Sequence, residues 1–264
     1  MKHYVYDSPF EMKDDEGNEY TLTVEYDDYA EDPREWDNLC TMVCWHSRYS
    51  LGDQHNYDDS DELFGYLLHH VCGMDYEDID EFDTYEKYQL LCESEKLLIK
   101  PINMYDHSGI TVSTSNSYPY TDKWDGGRVG YINITKEKIF KDGCSLRVKD
   151  ENGNYILVEH KHDGKPSTYS HKTIPANEEN WKEIADEIIE AEMETYDQYV
   201  RGEVYWFKLE KKVIRQDLCP HCGDVIKEYE DEEMVDSCGG FYGDCLEENG
   251  ILGNIGSDIK FVED

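Results

Sequence analysis

Large apolar residues alternate with threonine from Tyr20 to Val24 (Tyr20, Thr21, Leu22, Thr23, Val24). Tyr4-Val5-Tyr6 lies upstream, across a turn at Asp15-Glu16-Gly17-Asn18. A period of two interrupted by turn residues predicts a β-hairpin within residues 1–32. The period changes further on. Ser60 precedes Leu63, Phe64, Leu67 and Leu68, the spacing of a helix that starts after the loop 52–62. Residues 97–114 have strand character, with Pro101 suiting a strand start or an edge. Gly126-Gly127 predicts a turn before a strand from Val129 to Ile134.

Residues 136–172 read as a β-hairpin elaboration punctuated by turns at Asp150-Glu151-Asn152-Gly153 and Asp163-Gly164. The strongest helical pattern covers 178–199. Asn177 is placed to cap it, and Trp181, Ile184, Ala185, Ile188 and Thr195 form its apolar stripe. Strand signals return at Val204 to Leu209 and at Val213-Ile214, followed by a cysteine-rich hairpin over 219–245. The expected class is α+β: an antiparallel sheet with a few helices packed on one face, plus a small C-terminal hairpin resembling a zinc knuckle. The expected organisation is an acidic N-terminal region, 1–118, and a C-terminal region, 119–264, that carries the hairpin.

Charge sharpens this picture. The 264 residues hold 61 Asp and Glu against 25 Lys and Arg, a formal net charge of -36. Self-repulsion on that scale opposes compaction. Duplex DNA carries one charge per ~1.7 Å, so 36 charges match roughly 60 Å of double helix. The acids are clustered. Eleven face a single Lys between Asp7 and Asp32, and seven stand without a base in residues 75–86. On the predicted helix, Glu183, Asp186, Glu187, Glu190 and Glu194 accompany Lys182 as the only base. Like charges three or four apart disfavour a helix, so stability alone does not account for that face. Only 136–172 is near neutral, with eight Lys and Arg against six Asp and Glu. Such a chain is unsuited to holding nucleic-acid phosphates itself.

Candidate chemistry is sparse. Cys219-Pro220-His221-Cys222-Gly223 has the form of a zinc knuckle, in which both thiolates face one point. Cys238 and Cys245 are the expected remaining ligands of a structural zinc, with His221 as the alternative to one cysteine. His46, Asp53, His55, Asp106, His107, Ser108 and Asp125 form a looser set suggesting a hydrolase, although no HExxH, GxSxG, P-loop or dinucleotide fingerprint accompanies them. The amino terminus shows no apolar signal core, no run approaches a membrane span, and nine cysteines fit a reducing compartment. The expectation is therefore a cytoplasmic protein.

Several phrases carry a resemblance. They are Pro33-Arg34-Glu35-Trp36-Asp37-Asn38-Leu39, Cys44 to Asp53 (CWHSRYSLGD), Tyr105-Asp106-His107-Ser108-Gly109, Trp124 to Gly130 (WDGGRVG), Tyr196-Asp197-Gln198-Tyr199 and Asp236 to Gly243 (DSCGGFYG). Together they resemble a family of uncharacterised phage and plasmid proteins, with Gly239 standing where the resemblance places Trp. The resemblance implies a mobile-element origin and a counter-defence role, of the anti-restriction or anti-CRISPR kind.

With the charge, this leads to one expectation: a DNA mimic that blocks the basic groove of a host defence nuclease without turnover. The target would be a CRISPR effector such as Cas9 or a restriction complex, with no direct nucleic-acid binding. The expected contact residues are Glu183, Asp186, Glu187, Glu190 and Glu194 together with Asp75, Glu77, Asp78, Asp80 and Glu81. The alternatives are a metal-dependent hydrolase using His46, His55, His107 and Asp125, or a non-catalytic interaction module of a mobile element.

Overall fold

The computed structural model describes residues 2–107, 109–114, 126–162 and 165–262. Ser108, Trp124, Asp125 and the turn at Asp163-Gly164 lie outside the described residues. The fold is α+β with antiparallel sheets throughout. The chain forms two compact units: residues 1–33 with 198–264, and residues 34–197. The units therefore do not follow the halves 1–118 and 119–264. The reason is topological: the N-terminal hairpin pairs with a strand that begins at Val204, and such non-local pairing leaves no mark on local sequence pattern.

In the first unit, five strands run in the order Val225–Tyr242, Val204–Leu218, Glu19–Tyr26, Phe10–Lys13 and Lys260–Phe261. Alternation decides which face is covered. Phe10, Met12, Tyr20, Leu22, Val24, Tyr205, Phe207 and Leu209 are buried along one face, where Leu246, Ile251 and Ile255 from the C-terminal stretch pack on them. The apolar residues of that stretch serve a sheet built elsewhere in the chain, so they follow no local period of their own. The two long strands continue as a ribbon. Pairing with Glu19–Tyr26 ends at Lys211, so rungs from Lys212↔Glu232 to Leu218↔Val225 are held only by each other. At the inner end of the ribbon, Gly239 is required by close approach. A Cβ there would lie 2.5 Å from Asp27 Oδ2, the atom that accepts the Gly240 N–H.

The second unit is built on strands Thr41–Cys44, Gly126–Thr135, Leu97–Asp106 and Ile110–Ser113, in that order. On one face Val43, Leu97, Ile99 and Tyr131 meet Leu63, Phe64, Leu67 and Leu91 of helices Ser60–Leu67 and Thr84–Glu93. Lys100, which pairs with Ile132 on the opposite face, reaches Asp186 and Glu190 of helix Trp181–Val200 and so sets that helix on the second face. Helices cover both faces, not one as expected. The helix's buried stripe is Trp181, Ile184, Ala185, Ile189, Met193 and Tyr196. Ile188 and Thr195 stay partly exposed because the stripe follows an i, i+4 path. Pro101 sits inside a strand, but the edge strand pairs only with Asn103 to Asp106 among the described residues, so Pro101 owes it no hydrogen bond. Gly126-Gly127 belongs to the strand. Gly130 is needed where a Cβ would fall 2.2 Å from Val43 O.

Candidate functional site: a braced loop and an acidic surface

Loop 44–56 of the second unit is braced from below by one arginine. The Arg34 side chain is 3% exposed. Its Nε and Nη2 donate to Asp53 (2.8 and 3.1 Å), Nη1 donates to Glu192 (2.8 Å), and Nη2 also donates to Cys40 O (2.9 Å). Both carboxylates accept backbone N–H groups as well. Asp53 takes that of Met42, and Glu192 takes those of Leu39 and Cys40. Burial opposes the Arg34 charge, but bonds to Asp53 and Glu192 outweigh it and raise its pKa. Around this clamp, Gly52 N–H donates to Tyr196 Oη (2.8 Å), and Asp197 accepts from Thr111 Oγ1 and Val112 N (2.7 Å each). The phrases at 33–39, 44–53 and 196–197 thus meet in one scaffold. Sequence reading missed Arg34 and Glu192. The only available signal was a lone base amid acids.

The loop lines an open depression of about 1110 Å³, with Trp45, His46, Arg48, Tyr49 and His55 on its surface. His46 stacks on Tyr49, and its Nδ1 accepts the N–H groups of Arg48 and Tyr49 at 3.4 and 3.2 Å. Asp106 receives Arg48 Nη2 (2.6 Å) and Tyr49 Oη (3.2 Å). His55 is held between Trp45 and Tyr57, with Nε2 2.9 Å from Cys44 O, while its buried Nδ1 has no hydrogen-bond partner among the described residues. Since a carbonyl only accepts, Nε2 carries the proton and Nδ1 offers a lone pair. His46 and His55 share this pocket, whereas His107 lies in the turn after Leu97–Asp106. No group of three or more His, Cys, Asp or Glu forms a metal-binding cluster among the described residues.

The expected zinc ligands do not converge. Cys219 and Cys222 occupy the ribbon's tip, whereas Cys238 pairs with Phe207, eleven residues back along the strand from Leu218. At ~3.3 Å per residue that is roughly 35 Å. Cys245 is buried beside the amino-terminal segment, where residue 4 bridges to it.

The acidic residues divide by partnership. Asp75, Glu77, Asp78, Asp80 and Glu81 are all exposed on and around the short helix Tyr76–Ile79, anchored by buried Ile79. None has an ion-pair partner among the described residues. Asp83 and Glu86 of the same run have a different job, forming the capping box of helix Thr84–Glu93. On the long helix, Glu183 and Glu194 are exposed without an ion-pair partner among the described residues. Asp186 and Glu190 instead bind Lys100 at 2.6 and 2.7 Å, and Glu187 lies 3.6 Å from Lys149. Glu190 also accepts from Thr114. Burial works to raise its pKa, but the bonds from Lys100 and Thr114 lower it overall.

The two units share the charge evenly, with 27 acids against 9 bases in the first and 34 against 16 in the second. No helix among the described residues is long and apolar enough to cross a membrane. In comparisons with known proteins, no family model, no curated protein and no solved structure matches this chain.

Proposed function

We propose that this protein is a charge decoy: a non-catalytic inhibitor that occupies the basic nucleic-acid groove of a host defence nuclease. The observation that carries the reading is the run Asp75 to Glu81, five exposed carboxylates with no internal cation, on a chain of net charge -36. Carboxylates already paired inside a fold have little left to offer a partner. Unpaired ones present an anionic field that arginine and lysine evolved for phosphate will accept. Glu183 and Glu194 extend the candidate contact set, while Asp186 and Glu190 leave it because Lys100 holds them. A CRISPR effector or a restriction complex is the target class, following the resemblance to phage and plasmid proteins.

Salt-graded co-elution with guide-loaded CRISPR nuclease and with restriction complexes, with and without target DNA, tests this. The expected result is stoichiometric binding that DNA displaces and that weakens as salt rises. Binding indifferent to both DNA and salt would overturn the decoy reading.

One observation favours a second reading, a hydrolase in the pocket of loop 44–56: the unpartnered Nδ1 of His55 beside that pocket. The readings separate at His55→Ala, which abolishes a hydrolase and leaves a decoy at full strength.

A further inference from the structure

The ribbon's tip carries two cysteines on one tight turn, and no third His, Cys, Asp or Glu joins them in a metal-binding group among the described residues. Cys219 N–H donates to Asp224 O (2.7 Å), and Gly223 N–H donates to Cys219 O (2.9 Å). Gly223 takes φ +75°, the left-handed conformation that closes the turn. These bonds close residues 219–224 into one turn that carries both Cys219 and Cys222. Two cysteines separated by two residues on a glycine-closed turn have the spacing of one half of a tetrahedral thiolate site. Both thiols are free, and Cys222 is exposed.

Zinc in a structural site takes four ligands. This chain's other cysteines do not reach the tip: Cys238 is roughly 35 Å down the ribbon, and Cys245 is buried in the first unit's body. The last rungs add a second observation. Ile214, Leu218, Val225 and Ile226 are between 48 and 67% exposed on a stretch where, among the described residues, the two ribbon strands pair only with each other. A two-stranded hairpin standing alone is marginal in water, and apolar side chains at its end gain by being covered.

We propose that two copies of this chain join tip to tip, each supplying Cys219 and Cys222 to one shared tetrahedral zinc, with the apolar rungs covered by the partner's ribbon. The arrangement satisfies coordination number and covers the tip in one step, and it is independent of the decoy reading. Each chain carries -36, so association is favoured by moderate salt, which screens the repulsion without weakening metal–thiolate bonds.

The test uses the full chain, reduced and supplied with zinc, or with cobalt as a spectroscopic reporter. Metal content and molar mass by light scattering are measured on the same sample at moderate salt. One metal per two chains at twice the single-chain mass is expected, with reversion to single chains on adding chelator and a four-thiolate cobalt spectrum. Cys222→Ser lies in an exposed turn and should abolish both metal and dimer while leaving the melting of the sheets in place, whereas Cys238→Ser should change neither. A single chain carrying its own metal, a chain that binds none, or a dimer that survives Cys222→Ser would each overturn the proposal.

Discussion

Arg34 satisfies Asp53, Glu192 and the Cys40 carbonyl simultaneously, and its side chain is almost wholly withdrawn from water. Deleting the arginine leaves two partly buried carboxylates, 25 and 15% exposed, without a counter-charge; in a fully buried pair such a change costs ~3–5 kcal/mol. Arg34→Met should therefore lower unfolding free energy by about 3 kcal/mol, measured by urea titration. A loss under about 0.5 kcal/mol would mean that water already screens the clamp. Asp14 gives a pH-dependent counterpart. Its carboxylate accepts from the Asn18 side chain (2.7 Å), Asn18 N (2.8 Å), Tyr20 Oη (3.0 Å) and Glu16 N (3.0 Å), which together fix the first hairpin's turn. These bonds, that of the Asn18 side chain foremost, hold its pKa at about 2 against an ordinary 3.8. A depressed carboxylate stabilises fully above its unfolded value, and the contribution fades as pH falls from 3.8 towards 2. Asp14→Asn should be less stable than the parent at pH 6, and the gap should close over that window. A gap that stays constant with pH would show that shape, not charge, sets the turn.

At the scale of elements, the helices Ser60–Leu67 and Trp181–Val200 and the strand Glu19–Tyr26 were legible in the sequence because each carries its own period. The hairpin's first strand, however, is Phe10–Lys13, and the expected Tyr4-Val5-Tyr6 falls in and beside the single turn Val5–Asp7. The ribbon was legible only in pieces. Val204 to Leu209 alternates against a core, but the strand continues to Leu218 over residues exposed on both faces, where alternation has nothing to report. The candidate sites show the same division. The Cys219/Cys222 turn and the acidic run at 75–86 are local and were visible, whereas Arg34 and Glu192 meet across 158 positions. Partnership, equally invisible in sequence, now separates two classes of acid. Neutralising Asp75, Glu77, Asp78, Asp80 and Glu81 together with Glu183 and Glu194, by Asn or Gln, should weaken groove binding at least tenfold with no loss of thermal stability. Neutralising Asp186 and Glu190 strips Lys100 of both partners. That pair should lower stability and leave binding nearly unchanged. Reversed outcomes in a paired melting and affinity series would relocate the contact surface to Asp186 and Glu190.

Over the whole molecule, charge acts on folding and on binding with opposite signs. Each unit carries 18 excess carboxylates, a like-charge repulsion within each unit whose range is set by ionic strength. The screening length is ~30 Å at 0.01 M salt and ~10 Å at 0.1 M, so added salt removes repulsion between distant carboxylates first. Short-range pairs such as Arg34 with Asp53 and Lys100 with Glu190 are partly shielded from solvent and lose little. The folded state should gain on balance, with a melting temperature that rises by about 2–8 °C per kcal/mol of relieved repulsion. Attraction to a basic groove is also long-ranged, so the same salt should slow association and weaken the complex. Melting and association rate, measured together from low to moderate salt, should therefore move in opposite directions: a firmer fold and a slower encounter. A fold that softens with salt would show that internal ion pairs outweigh the excess charge, and the acidity would then belong to the protein's own architecture and not to a partner's groove.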